Sequence, residues 1–367
     1  MKLTRLDGQL VWGRDWMRHR VALVVDPRFP GGTSHAVAEE IRALGGAVNL
    51  SVCALETAMF KGRQIHPCIE AALEEAGLSL IWSPSVVHAD TIVIHNPSCL
   101  RFDTLLRTRL SCGQAIVVTH ENFLRPNGSE SFDVARCIDL IDAALVCGRR
   151  CLAPVSSYNR QTVEDWLARE QRSWDVASDD WLNILDPKLT APNPSPRDRR
   201  GRHSRPGLEK FPPIDTLRAH FPPHADRCIM LGADPLMNGP ETPPPHWDLR
   251  RFGETDVERL LAEIDFFVYF TNPNWRESFG RVVAEAIAAG KLVITDPGTA
   301  APFASAVVSS NGDDVDEIVH GFCAEPHRYV NFVTAAQGEL VRFQPVTVAR
   351  RIRAQIERLE APSHALV

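Results

Sequence analysis

Ile264-Asp-Phe-Phe-Val-Tyr-Phe270 runs into Thr271-Asn-Pro-Asn-Trp-Arg276, then Glu277-Ser-Phe-Gly280, then Arg281-Val-Val-Ala-Glu-Ala-Ile-Ala-Ala289, closed by Gly290. An apolar run of this length bounded by turn residues reads as a buried strand, and the periodic small-residue run after Gly280 reads as a helix. In open α/β sheets ligands bind beyond the carboxyl ends of the strands, so the loop between these two elements is where chemistry belongs. The start of the helix offers unpaired backbone N–H groups and a positive dipole end, which suit a phosphate. Glu277 stands just before that start and Glu285 eight residues on, about 12 Å along the axis if the segment were helical throughout. One carboxylate could then meet the hydroxyls of a sugar and the other a ribose, with a diphosphate on the amides between them. Two glutamates at this spacing are common on solvent-facing helices. The preceding strand, Gly280 and the run Ala284, Ala286, Ala288, Ala289 and Gly290 set this pair apart.

Outward from this segment, short apolar runs alternate with helical patterns. Val21–Val25, Val48–Val52, Ile92–His95, Ala115–Thr119 and Ala143–Cys147 read as parallel strands in the first half. Ile229–Leu231, Phe266–Phe270 and Leu292–Thr295 read so in the second, with amphipathic stretches such as Ser34–Leu44 as crossover helices. Between residues 156 and 226 the alternation gives way to Trp-, Pro- and Arg-rich sequence, which marks an interdomain connection with a boundary near 180. The expected organisation is an α/β chain with a first domain over 1–180, a second over 181–345, and a terminal helix and tail over 346–367 that packs back on the first domain. The proline cluster Pro240–Pro245 reads as a rigid loop, and Pro362-Ser-His-Ala-Leu-Val367 as a fraying end.

At 367 residues the chain is long enough for two domains, each with its own core. A formal charge of −6 gives no global attraction to nucleic acid or an acidic membrane, so any anion must be held by a local basic patch. The nine cysteines are odd in number and scattered, with no C-x-x-C pair, and read as reduced thiols of a cytosolic protein. Met1 to Arg20 lacks the apolar core of a secretion signal, and no apolar run approaches the roughly 18 to 20 residues that span a bilayer. The expectation is a cytoplasmic protein able to visit a membrane surface from the inner face.

The segment from Glu277 to Gly290 resembles the donor motif of retaining GT-B glycosyltransferases, E-[SA]-F-G-x-x-x-x-E-A-x-A-x-G. Glu277, Ser278, Phe279, Gly280, Glu285, Ala286, Ala288 and Gly290 all match. The resemblance implies two Rossmann-like, doubly wound domains facing each other across a cleft. It implies that Glu277 contacts the transferred hexose, that the amides of Ser278, Phe279 and Gly280 help bind the donor, and that Glu285 binds the ribose. It also implies a Gly-Arg followed by a Lys that grips the diphosphate at the start of the second domain. Gly201-Arg202-His203-Ser204-Arg205 with Lys210 fits, giving Arg202 and Lys210 as catalytic cations and Arg205 as a further donor contact. The apolar strand expected before this Gly-Arg is replaced by Ser195-Pro-Arg-Asp-Arg-Arg200.

In the first domain Val21–Asp26 leads to Gly31-Gly32, where paired glycines permit φ > 0 and a close backbone approach, and Thr33 or Ser34 can cap the following helix. In the resembled family this loop faces the donor. His95 and His120 follow predicted strands and share one rim, so one of them is expected to line the cleft. Ser156, Ser157, Asn159 and Arg160 are weaker candidates for acceptor contact. Asp314-Val-Asp316 reads as the acidic first turn of a helix rather than a metal site, and the resemblance implies cationic side chains in place of a metal.

The function so implied is transfer of a hexosyl unit, with retention, from a nucleotide-diphosphate sugar to a glycan or lipid-linked acceptor, as in bacterial surface polysaccharide synthesis. No cofactor beyond that co-substrate and no nucleic acid partner is expected. A nucleotide-sugar 2-epimerase of the same shape and a non-catalytic nucleotide-sugar-binding protein stay open.

Overall fold

The structure, a computed structural model, describes residues 2–6, 9–13 and 19–360. The chain divides into two compact units. The first comprises the chain up to Leu124, Glu130–Leu185 and the segment from Phe343; the second comprises Arg125–Ser129 and Asp186–Arg342. The sequence limits were 180 and 345. The tail Pro362–Val367, expected to fray, lies outside the described residues.

The first unit opens with an antiparallel pair, β1 (Lys2–Leu6) and β2 (Gln9–Gly13). Its sheet follows: β3 (Arg20–Val25), β4 (Asn49–Ala54), β5 (Leu80–Trp82), β6 (Val86–His95), β7 (Arg109–Thr119), β8 (Leu145–Pro154) and β9 (Asp175–Val176). The order β5-β4-β3-β6-β7-β8-β9 is parallel throughout. β3, β6 and β7 carry near-continuous apolar runs because helices cover both faces, which leaves no polar side to alternate. One expected strand is displaced: Ala143 and Ala144 end the helix Val134–Ala144, and the strand begins at Leu145. The terminal helix Pro345–Glu360 docks on this unit. Gln114 Nε2 donates to the Ile356 carbonyl at 3.1 Å and Gln355 Nε2 to that of Asp179 at 2.5 Å.

The second unit holds β10 (Arg199–His203), β11 (Arg227–Leu231), β12 (Trp247–Arg250), β13 (Phe266–Tyr269), β14 (Leu292–Thr295) and β15 (Val308–Ser309). They form one parallel sheet in the order β12-β11-β10-β13-β14-β15. The strand that the sequence lacked is therefore present: β10 is central, although it reads Arg-Arg-Gly-Arg-His. Its charges are buried in pairs. Arg199 forms a fork on Asp265, which is fully buried, at 2.8 and 3.0 Å. Arg200 spans Asp198 at 2.6 Å and Asp316 at 2.6 Å and also donates to the His220 carbonyl. A buried guanidinium is tolerated only when its donors are met this completely. Asp316 is thus spoken for by Arg200 and by His224 at 2.9 Å, and sits in the first turn of the helix Val315–Ala324, as its sequence suggested.

Candidate functional site

The carboxyl ends of β10 and β13 place the second unit's candidate residues. Beyond β13 the chain turns through Thr271–Arg276 and enters the helix Arg281–Ala288. Gly280 precedes that helix at φ 86°, ψ 53°, a left-handed conformation that other residues adopt at a cost. The helix starts four residues after Glu277, so the two glutamates are not on one continuous helix. Phe279 anchors the turn from inside, 4 % exposed, its ring 5.5 Å from that of Phe303. Arg276 ties the loop to Asp296 at 2.9 Å, and Asp296 caps the next helix through the amides of Gly298 and Thr299.

Glu277 is the centre of a charged cluster. Its Oε1 accepts from Lys210 Nζ at 2.7 Å and from Tyr269 Oη at 2.6 Å, and the ammonium also lies 5.0 Å from the Trp275 ring centroid. Burial by itself would raise the carboxyl pKa. Lys210, the Tyr269 hydroxyl and the charge of Arg205 outweigh it and hold the group below the ordinary value, so Glu277 is a carboxylate at neutral pH. Tyr269, wholly buried beside that carboxylate, is pushed far up and stays a phenol that can only donate to it.

Arg202, expected to grip a diphosphate, is 1 % exposed, stacked 4.5 Å from the Phe211 ring centroid and 4.8 Å from that of Tyr269. Its guanidinium donates to the carbonyl of Phe270 at 2.8 Å and to that of Lys210. Arg202 therefore braces two loops, and the brace is what brings Lys210 onto Glu277. The Asn272 amide reinforces it by donating to the Glu209 carbonyl at 3.1 Å. Arg205, ranked lower from sequence, is exposed five positions before Lys210, and its charge bears on both Glu277 and Tyr269. Of the three cations Arg205 alone is exposed, while Lys210, 5 % exposed, is held on Glu277. Tyr269 was missed altogether because inside an apolar strand it reads as core.

Glu285 is partly exposed and accepts from Arg281 Nε at 2.9 Å, one turn earlier. His203 Nε2 lies 3.6 Å from Glu285 Oε2, but burial and Arg202 push His203 down to about 4, so it faces Glu285 neutral.

In the first unit Gly31 is extended at φ 171°, and Gly32 opens the helix Gly32–Leu44 without positive φ. Neither glycine uses the left-handed region that the pair permits. Neither Thr33 nor Ser34 caps the helix; Ser34 Oγ donates back to the Phe29 carbonyl at 2.6 Å, and Thr33 receives Asn96 Nδ2 at 3.2 Å. His95 is buried at 1 % exposure and so lines no surface, whereas His120 is half-buried, with its Nε2 3.0 Å from His95 Nδ1. Ser156 caps the helix Ser157–Glu170, Asn159 is buried on Thr119, Val155 and Asn122, and Arg160 holds Asp180 at 2.8 Å. Ser156, Asn159 and Arg160 are each engaged within the first unit. The cysteine spacing also concealed a cluster: Cys68 Sγ is 2.9 Å from His66 Nδ1, with the His35 ring beside it.

No protein-family model and no curated protein matches the chain. Solved structures do. HepE of Anabaena, crystallised with UDP and glucose, superposes with a TM-score of 0.63 at 16 % identity over 93 % of this chain and 100 % of that one. A UDP-forming α,α-trehalose-phosphate synthase from Burkholderia xenovorans gives 0.57 at 10 % identity, over 93 % and 99 %. An α-glucosyltransferase in complex with UDP-glucose and DNA containing an abasic site gives 0.53 at 10 % identity, over 92 % and 98 %. The fold is GT-B. With two Rossmann-like parallel-sheet units, the GT-B chain carries its Glu277 cluster at strand carboxyl ends, where open α/β sheets bind ligands. Among its described residues no helix is long and apolar enough to cross a membrane.

Proposed function

We propose that this chain is a glycosyltransferase that moves a hexosyl unit from a nucleotide-diphosphate sugar to a glycan or lipid-linked acceptor with retention of anomeric configuration. The observation that carries the reading is Glu277, held ionised by Lys210 and Tyr269 beside the exposed cation of Arg205 in a GT-B fold. HepE, which shares the fold, binds UDP and glucose, and UDP is the nucleotide to try first.

In this reading Glu277 accepts hydrogen bonds from hexose hydroxyls, Glu285 binds the ribose, and the diphosphate lies on Lys210, Arg205 and the amides of Ser278, Phe279 and Gly280. Gly31 and Gly32 of the first unit supply further backbone contact to the donor. As the glycosidic bond breaks, negative charge grows on the diphosphate, so fixed cations stabilise the transition state more than the donor. Arg202 acts as a positioning residue. Acceptor attack on the same face, guided by the leaving phosphate, gives retention without a protein nucleophile. Because Lys210 and Arg205 neutralise the leaving group, no metal is required. The reading places the enzyme in the cytoplasm, visiting the inner membrane face for a lipid-linked acceptor.

The test is incubation with UDP-, GDP-, ADP- and dTDP-sugars, with and without EDTA and glycan acceptors, following nucleotide release and the product anomer by NMR. Release of nucleoside diphosphate, insensitive to EDTA and with an axial product from an axial donor, is expected. An epimerised donor, or binding of every donor without turnover, would overturn the reading.

A further inference from the structure

Two helices of the first unit, Gly32–Leu44 and Pro67–Glu75, bring together metal-ligating side chains that the transfer reading does not use. His35 lies in the first turn of one helix, His66 caps the start of the other, and Cys68 is the second residue of that other helix. One nitrogen of each histidine and Cys68 Sγ all lie within 4.8 Å of one another. Cys68 Sγ is 2.9 Å from His66 Nδ1, and the two imidazole rings meet edge-on with centroids 5.1 Å apart. Cys68 is in no disulfide, and all three side chains are half-buried, so an ion can reach them from solvent.

The helices hold these ligands in place. Arg42 stands seven residues beyond His35, Glu75 seven beyond Cys68, and Arg42 forks onto Glu75 at 2.6 and 3.1 Å. Equal offsets on both helices mean that the two run side by side in the same direction. The ion pair joins their far ends, and the two histidines and Cys68 meet at the near ends. The His66 amide donates to the Pro27 carbonyl at 2.8 Å, which anchors the loop that delivers the second imidazole. Ligands already carried on rigid elements lose little freedom when a metal arrives.

The donor set selects the ion. Two imidazoles and a thiolate, with no carboxylate among them, suit zinc and not Mg²⁺ or Ca²⁺, which take oxygen ligands. In a tetrahedral site Zn–S is about 2.3 Å and Zn–N about 2.0–2.1 Å, which sets sulfur and nitrogen about 3.5 Å apart. Cys68 Sγ and His66 Nδ1 reach that spacing by a small torsional adjustment of half-buried side chains.

We propose that His35, His66 and Cys68 bind one Zn²⁺, with water as fourth ligand, and that the ion joins the starts of the two helices. On binding, the Cys68 thiol gives its proton to solvent and the sulfur coordinates as thiolate. With one position left to water, the site takes zinc reversibly, unlike the closed four-ligand sites that hold a fold together. It does not rest on the glycosyl-transfer reading.

The experiment is titration of the untagged full chain, reduced and metal-free, with Co²⁺. Tetrahedral cobalt bound to a thiolate has intense visible bands and a sulfur-to-cobalt charge-transfer band in the near ultraviolet. One equivalent is expected to develop both, and Zn²⁺ to displace it one for one. Cys68→Ser abolishes the charge-transfer band. His35→Gln and His66→Gln weaken Zn²⁺ binding by more than the about 10- to 100-fold that loss of an outer-shell partner costs. Cys147→Ser and Cys323→Ser, which alter other half-buried thiols, leave the spectrum as it was. Zn²⁺ raises the Tm of the unaltered chain and not that of Cys68→Ser. If a variant fails to fold, the unaltered chain decides, since Zn²⁺ must protect Cys68 from iodoacetamide, read by mass spectrometry of the Cys68 peptide. A charge-transfer band that survives Cys68→Ser, a pale octahedral spectrum, or alkylation of Cys68 at the same rate with and without Zn²⁺ overturns the site.

Discussion

Lys210 Nζ donates to Glu277 Oε1 across 2.7 Å, with only 6 % and 16 % of the two side chains exposed. The pair fixes Glu277 as a carboxylate against its own burial, and this has a pH consequence. A carboxyl group whose folded pKa is depressed contributes stability above its unfolded value, near 4.3, and loses it as pH falls through the lower folded value. Activity dependent on ionised Glu277 is therefore flat through neutrality on the acid side. Lys210→Met removes the largest stabilising partner, burial then dominates, and the acid limb of kcat/KM moves to higher pH. Breaking a buried pair costs about 3–5 kcal/mol, visible as a lower Tm, and loss of a cation on the leaving group costs about 10²- to 10³-fold in kcat. An unmoved acid limb in a folded Lys210→Met would show that another group holds Glu277.

Arg202 and Arg205 should separate cleanly. Arg202 is enclosed between Phe211 and Tyr269 and donates through its two terminal nitrogens to two backbone carbonyls, so Arg202→Met orphans both acceptors. A loss of about 2–4 kcal/mol is expected, about 4–16 °C in Tm for a unit of this size. Arg202→Lys does not rescue it, because an ammonium lacks the planar fork that meets both carbonyls. Arg205→Ala, at an exposed site, leaves Tm unchanged and weakens UDP binding. Calorimetric melting alongside UDP titration of both variants decides the matter; equal Tm losses would contradict the division of roles.

The contrast between these arginines also shows what was legible in sequence. β13 and its helix were readable because Phe266–Phe270 is apolar and Gly280 punctuates the turn. β10 was not, because Arg199, Arg200 and Arg202 stand where apolar residues were expected. Arg200 and Asp316 are 116 positions apart, Arg199 and Asp265 are 66 apart, and no local pattern reports such a partner. The same limit hid Tyr269, whose ring reads as core while its hydroxyl serves Glu277. It also hid Glu40, one acid on an amphipathic helix, whose burial depends on Trp181, 141 positions on. Gly31 and Gly32 show the converse, since a glycine pair permits a left-handed turn without requiring one.

Glu285 offers a test of donor binding that leaves Glu277 alone. It is partly exposed, its Oε1 is taken by Arg281, and the neutral His203 beside Oε2 forms no strong ion pair with it. Glu285→Ala should leave Tm within a degree or two, because an exposed pair one turn apart contributes about 0.3–0.5 kcal/mol. UDP affinity should fall about tenfold or more, as for loss of a charge-assisted hydrogen bond to a ribose hydroxyl. UDP titration of the variant at fixed ionic strength measures it. Unchanged UDP affinity would remove the ribose role.

Gly280 sets where the helix after Glu277 begins. At φ 86° any side chain costs about 1–2 kcal/mol, whereas a Cβ there would meet Phe303, Thr299 and Val283 at 3.4–3.6 Å, ordinary contact distances. The penalty is thus one of backbone conformation rather than collision. Gly280→Ala should lower Tm by about 2–8 °C, and Gly280→Asn, whose short polar side chain tolerates the left-handed region, by less. If the amides from Ser278 to Gly280 hold the diphosphate, UDP affinity follows the same order, because a turn that relaxes toward negative φ re-aims those N–H groups. Alanine and asparagine variants with equal Tm but lower affinity than the unaltered chain would point to direct crowding of the ligand by the new Cβ instead.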